Sequence, residues 1–381
     1  MNQTLSARTP TSIALAETLL WLCSIASPIG EEKELCDAVT ERLSRLPLPS
    51  PIRRYGDSIV VPVVRRREAG RPHIALVGHL DTVRTENGPA RIENGRCYGA
   101  GAADMKAGLA AMIVLAETRA ELASCDLSLV FYAREEGPYA ENELGPVLAG
   151  DEDLRGVDLA VCLEPSDNML HLGCCGAIHA TVTFEGRTAH SARPWEGENA
   201  ITKSAALLDR LAKLAPIDHP IDGLVYRTTT TVTLANGGRG RNVVPDVFTL
   251  NLNHRFAPDT SLEQAQTDVR ALVHQGVHGP DGPRLEFTDL SPAALPSASH
   301  PLVKKLVDVG VRGVEPKQAW TDVARFSSLG IAAVNFGPGE NKQAHQKNES
   351  TDLLLLFQGY QILSTWLRAV DSSDLPVRGV R

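Results

Sequence analysis

Apolar positions in the first third of the chain fall into two alternating patterns. Ile13, Leu15, Leu19, Leu20 and Leu22 recur at helical spacing behind Thr11 and Ser12, which are placed to cap a helix. Pro28-Ile29-Gly30 interrupts the run, and a second helix is predicted over 31–46 with Leu35, Ala38, Val39 and Leu43 on one face. Short apolar runs at 59–64 and 74–77 follow, then a glycine-rich turn at 99–104, a helix over 105–122, and strands over 127–133 and 158–163. These strands are apolar on both faces, as in a sheet covered by helices on either side. The pattern predicts an α/β domain with a mainly parallel sheet flanked by helices.

After Gly176 the pattern changes. Residues 178–184 alternate as a half-exposed strand, and 198–214 read as a helix. Two strands over 228–234 and 247–256 flank Asn236-Gly237-Gly238, and a helix over 261–277 and a strand over 285–288 complete the order β-α-β-β-α-β, the split-βαβ arrangement. Pro292, Pro296 and Pro301 mark the exit, and signals of the first kind resume at Leu302, ending in a helix over 353–370. The predicted organisation is a larger α/β domain in two parts, 1–176 and 291–381, with an α+β ferredoxin-like domain inserted over 177–290.

Composition narrows the function classes. The 381 residues suit two domains, and 43% hydrophobic with 22% charged residues permits a sizeable core. The net charge of −8 argues against a nucleic-acid partner held by phosphate neutralisation. The seven cysteines are odd in number and form no C-x-x-C, so neither a disulfide framework nor a zinc knuckle is expected. The first residues lack a basic segment followed by a long apolar one, and the longest uncharged apolar stretch, 107–116, is about half a membrane span. No membrane partner and a cytoplasmic location are expected.

The chemistry-bearing residues cluster at predicted strand ends. In Gly78-His79-Leu80-Asp81, residues two apart point the same way, which lets Asp81 orient His79 as a metal ligand; a surface hydrogen-bonded pair fits the same pattern. Asp104 stands between the glycine-rich turn and a helix, where it can cap the helix, bridge two cations, or both. Glu135 and Glu136 end one apolar strand, and two adjacent carboxylates there are costly unless a cation is near. Their side chains diverge, so one can bind a cation while the other serves as general base. Glu164 ends the next strand, and His345 lies in the loop after 331–336. Two histidines and three carboxylates suit two zinc-like ions sharing a bridging carboxylate.

As a set, G-H-L-D-T-V, G-A-A-D-M-K-A-G, R-E-E-G, C-L-E-P, G-R-T-A-H-S-A-R-P, R-N-V-V-P and G-P-G…A-H-Q resemble the di-zinc amidohydrolases and peptidases, the family of succinyl-diaminopimelate desuccinylase, acetylornithine deacetylase and aminoacylase. The motifs run in the family's order over nearly the whole chain. The resemblance implies a zinc-exopeptidase-like fold and two Zn2+ per subunit, with Co2+ as a substitute. It makes His79, Asp104, Glu136, Glu164 and His345 the ligands, Asp104 bridging, with Asp81 orienting His79 and Glu135 as base. It makes the inserted domain a lid and dimerisation module of a homodimer, with His190 steadying the oxyanion across the interface. It implies a small N-acyl amino-acid substrate, met by Arg255, Asn242 and Thr321. The overall match lies with the desuccinylase branch, which cleaves the N-succinyl amide of N-succinyl-LL-diaminopimelate. Acetylornithine deacetylase, aminoacylase and small-peptide hydrolysis remain open, because Trp320-Thr321-Asp322 departs from the desuccinylase pattern near the acyl end.

Overall fold

The computed structural model describes residues 9–66, 68, 70–118, 124–276 and 282–375. The predicted helix residues 119–122, residue 277 of another helix and the first eight residues lie outside them. Chain contacts divide the protein into two compact units: Met1–Gly173 with Ser297–Glu315 and Arg325–Arg381, and Cys174–Pro296 with Pro316–Ala324.

The strands of the first unit are β1 (Arg53–Tyr55), β2 (Ser58–Val64), β3 (His73–His79), β4 (Arg91–Glu93), β5 (Arg96–Tyr98), β6 (Asp126–Tyr132), β7 (Leu159–Cys162) and β8 (Leu170–Leu172). Those of the second are β9 (Gly176–Glu185), β10 (Ile217–Ile221), β11 (Leu224–Gly237), β12 (Val247–Phe256) and β13 (Arg284–Ser291). The chain then adds β14 (Val314–Pro316), β15 (Ala332–Asn335) and β16 (Ser350–Asp352).

An eight-stranded sheet of order β1-β2-β6-β3-β7-β15-β8-β14 carries the first unit. Its middle is parallel, β6 with β3, β3 with β7 and β7 with β15, while β1–β2, β2–β6 and β15–β8 pair antiparallel. β3 and β6 are buried along their whole length because helices cover the sheet, and their sequences are mostly apolar, with Asp126 and Ser128 buried in β6. Three helices form the start of the unit: α1 (Pro10–Ser24), α2 (Lys33–Ser44) and α3 (Lys106–Glu117). α3 is buried from Lys106 to Ala116 and packs on α1. Burying a Leu, Ile or Met side chain such as Leu109, Ile113 or Met112 contributes roughly 1.5–3 kcal/mol each. Two expected caps are corrected. Thr9, not Thr11 or Ser12, caps α1, its hydroxyl accepting the Ser12 N–H. Asp104 does not cap α3, whose N-cap position is Met105. The unit closes with α4 (Leu144–Gly150), α8 (Pro301–Asp308) and α10 (Leu353–Ala369). Strands β4, β5 and β16 make a separate three-stranded sheet.

The second unit has a five-stranded sheet of order β10-β11-β12-β9-β13, with α5 (Ala200–Lys203), α6 (Ala205–Ala212) and α7 (Leu262–His274). Without β10 this is the split-βαβ order. The extra strand, Ile-Asp-His-Pro-Ile, sits at the sheet edge, where proline is tolerated. The helix expected over 198–214 is broken at Ser204 into α5 and α6. Ile178, Ala180, Val182, Phe184, Leu250, Leu252 and Val269 share a core, so alternate residues of β9 and β12 take the opposite face. α9 (Val323–Ser328) completes the helices. Among the described residues no helix is long and apolar enough to cross a membrane.

One buried imidazole makes the first unit acid-sensitive. His73 Nδ1 lies 3.0 Å from the Arg65 guanidinium, and Nε2 lies 2.9 Å from the Ser128 hydroxyl. Burial, assisted by Arg65, pulls its pKa from 6.5 to about 4. The native state therefore favours neutral His73, and its contribution is intact above pH 6.5 and is lost as pH falls toward 4. Complete loss amounts to roughly 3 kcal/mol. Urea unfolding of wild type and His73→Gln across that window should show a steeper acid decline in wild type. Parallel declines would refute the assignment.

Candidate metal centre

The centre is built from the ends of parallel strands. β3 delivers His79, fully buried, at its last position. His79 Nδ1 lies 3.0 Å from the main-chain oxygen of Asp81, which can only accept and so keeps a proton on Nδ1, and Nε2 lies 3.2 Å from Asp104 Oδ1. The Asp81 carboxylate lies 3.5 Å from Nδ1 and does a second task. Its Oδ1 accepts the Glu135 N–H at 3.0 Å and its Oδ2 the Glu136 N–H at 2.8 Å. Arg134, just past β6, takes a left-handed φ of 64°, which turns the chain so that both amides reach Asp81.

His345 comes from the loop after β15, also with a left-handed φ, 61°. Its Nε2 is 2.9 Å from Glu136 Oε1 and 3.6 Å from Asp104 Oδ2. Asp104 thus stands between the two imidazoles. Ligand-capable atoms of His79, Asp104 and Glu136 all lie within 4.8 Å of one another. Glu164 is buried just beyond β7, close enough to act on the charge of His79.

The Asp104 turn is held by a residue that motif reading passed over. Glu349, buried just before β16, accepts the N–H groups of Gly101, Ala103 and Asp104 at 2.9, 2.8 and 2.9 Å. Gly101 has φ +75°, and a Cβ there would meet the Thr82 methyl at 2.6 Å, so the turn requires glycine. The signal in the sequence is the turn itself, whose Gly101, Ala103 and Asp104 amides need an acceptor.

The donor set fits divalent cations. Carboxylates gathered around His79 favour positive charge at its Nε2, a place that a divalent cation can take between that nitrogen and Asp104. Burial alone would lower the His79 pKa, yet Asp104, Asp81 and Glu164 outweigh it and hold the imidazole well above its usual value. The hydrogen bond to Glu136 raises His345 to about 9 against the opposing effect of burial. The centre therefore concentrates negative potential, and nitrogen and oxygen ligands of this kind suit zinc and its neighbours.

The other expected site residues belong to the second unit. His190 is exposed, beside a bridge to Val243, and its Nδ1 accepts the Ala192 N–H at 3.1 Å, so the neutral ring carries its proton on Nε2. Asn242 is exposed in the same loop pair, its main-chain oxygen accepting the Ser191 N–H at 3.0 Å. Arg255 is half-buried on β12, and its Nε donates to Asn253 Oδ1 at 3.0 Å. Thr321 is buried, and its hydroxyl has no hydrogen-bond partner among the described residues.

The family model for peptidase family M20/M25/M40 matches residues 75–369. A Corynebacterium glutamicum protein named succinyl-diaminopimelate desuccinylase is 35% identical over 353 residues, covering 89% of this chain and 94% of its own. A Mycobacterium tuberculosis protein, provisionally named as the same enzyme, is 39% identical over 329 residues, covering 86% and 90%. Among solved structures, a Staphylococcus aureus tripeptidase superposes with a TM-score of 0.75 at 20% identity, covering 94% of this chain and 98% of its own.

Proposed function

This chain belongs to peptidase family M20/M25/M40, and from that footing we propose that it hydrolyses the N-succinyl amide of N-succinyl-LL-diaminopimelate to succinate and LL-diaminopimelate. The observation that carries the chemistry is the convergence of His79, Asp104, Glu136 and His345. The substrate comes from the full-length similarity to the corynebacterial and mycobacterial relatives.

In this reading His79 and Glu164 would hold one zinc ion, Glu136 and His345 a second, and Asp104 would serve both; cobalt could substitute. Such ions acidify a water and polarise the scissile carbonyl. Glu135 accepts the proton of the attacking water and returns it to the leaving amine, its backbone fixed by the Asp81 carboxylate through its N–H. Asp81 also fixes the tautomer of His79 through its main-chain oxygen. The enzyme is read as a cytoplasmic homodimer in which His190, with its proton on Nε2, donates to the oxyanion of the partner subunit's site. Arg255 meets a free carboxylate of the substrate, and Asn242 and Thr321 are read as further substrate-binding residues.

The test is a parallel assay of N-succinyl-LL-diaminopimelate, N-acetylornithine and a dipeptide with zinc-loaded enzyme. A kcat/KM for the succinyl substrate at least about tenfold above the others is expected, since each lost charge-paired contact costs about that factor or more. Faster turnover of acetylornithine or of the dipeptide would reassign the substrate within the family, and no turnover of any of them would overturn the reading.

A further inference from the structure

The open face of the second unit's sheet carries a connected row of polar side chains. β12 directs Asn251, Asn253 and Arg255 away from the apolar core, and β9 does the same with His179, directly opposite Asn253. Asn253 accepts the Arg255 Nε–H at 3.0 Å, and its Nδ2 lies 3.2 Å from His179 Nε2. On the far side of the ring, the Asn251 amide lies 3.4 Å from Nδ1 and 2.6 Å from the Thr233 hydroxyl. Arg255 makes no ion pair among the described residues, although burial is enough to pull its pKa down. A half-buried guanidinium with its terminal N–H groups unclaimed is costly until an anion pairs with it.

We propose that His179 and Asn253 are positioning residues for substrate binding, which aim Arg255 at a free carboxylate of the substrate through a hydrogen-bond relay. The proposal rests on the reading of Arg255 as the carboxylate's partner. The relay has one consistent proton pattern. The Arg255 Nε–H can only donate, so Asn253 must present its oxygen there and its NH2 to His179. His179 Nε2 is then an acceptor, and the neutral ring carries its proton on Nδ1. Asn251 completes the row by turning its oxygen toward Nδ1.

Protonation of His179 breaks this pattern. With N–H groups on both ring nitrogens, the Asn253 NH2 faces a donor and must flip, and the flip sets NH2 against the Arg255 Nε–H. Two charged groups face the ring: Arg255 from β12, which disfavours protonation, and Asp289, opposite it on β13, which favours it. Burial joins Arg255 in keeping the ring neutral. Substrate affinity should therefore weaken as pH falls through the acid side of the imidazole range, by loss of the aimed guanidinium.

Steady-state kinetics with N-succinyl-LL-diaminopimelate on the zinc-loaded enzyme test this. Arg255→Ala is the reference and should raise KM at least about tenfold, the effect of a lost charge-assisted contact. Asn253→Ala and His179→Ala should raise KM roughly five- to tenfold with kcat within about twofold. His179→Gln keeps a neutral acceptor, so it should restore KM and abolish the wild-type rise in KM as pH falls below about 6.5. If Arg255→Ala impairs binding while Asn253→Ala and His179→Ala do not, the relay is wrong and the Arg255 reading stands. If Arg255→Ala leaves KM unchanged, the Arg255 reading falls and takes the relay with it. Should His179→Ala fail to fold, Asn253→Ala and the pH profile of His179→Gln decide the matter, and an unrescued KM in the glutamine variant counts against the relay.

Discussion

Glu135→Gln is expected to retain its metal and lose at least about 10²-fold in kcat, the range for removing a positioned general base. The substitution keeps the shape of the side chain and removes its ability to take a proton. The backbone of Glu135 is fixed by the Asp81 carboxylate through its N–H, which glutamine preserves. The neighbouring Glu136 keeps its contact with His345. Metal content by elemental analysis should therefore match wild type while turnover collapses. Near-normal turnover would remove Glu135 as the base; loss of metal would make it a ligand. A variant at Glu136 should behave in the opposite order, losing metal first, because its carboxylate lies among the ligand atoms.

The strands that deliver these groups were legible because burial on both faces leaves a mostly apolar run. β3, β6 and β7 read directly as such runs, and His79, Glu135, Glu136 and Glu164 stand where each ends. The edges were not legible. β10 reads as a polar, proline-containing loop, since an edge strand needs neither alternation nor a full set of N–H donors. At Asp104 the sequence leaves a helix cap and a cation bridge both open, because aspartate before a helix usually is a cap. Here the helix starts two residues later, at Lys106, and the carboxylate faces His79 instead. Local propensity carries no information about a tertiary partner, and the same holds for the histidine–asparagine row behind Arg255, which is assembled by the β9–β12 register.

Glu349 shows the limit most sharply and leads to the second large effect. It lies 248 residues from Gly101 in sequence, and it meets the Asp104 turn because β16 pairs with β5 in the small sheet. In isolation it is one more acidic residue in a polar loop. In the structure it is a buried acceptor for three N–H groups, two on Oε1 and one on Oε2. Glu349→Ala leaves all three without a partner, at a cost of about 1–3 kcal/mol for each buried donor. Glu349→Gln does not repair this, because the amide NH2 in place of one oxygen would face an N–H donor at Gly101 or at Ala103 and Asp104. Both variants should loosen Asp104, the carboxylate between the imidazoles, and weaken metal binding by about 10- to 100-fold, as loss of a group that orients a ligand does. Competition with a chromophoric chelator measures that affinity directly, apart from turnover. An affinity equal to wild type in both variants would show that Asp104 holds its place without Glu349, and the turn would then have to be stabilised from within its own glycine-rich backbone.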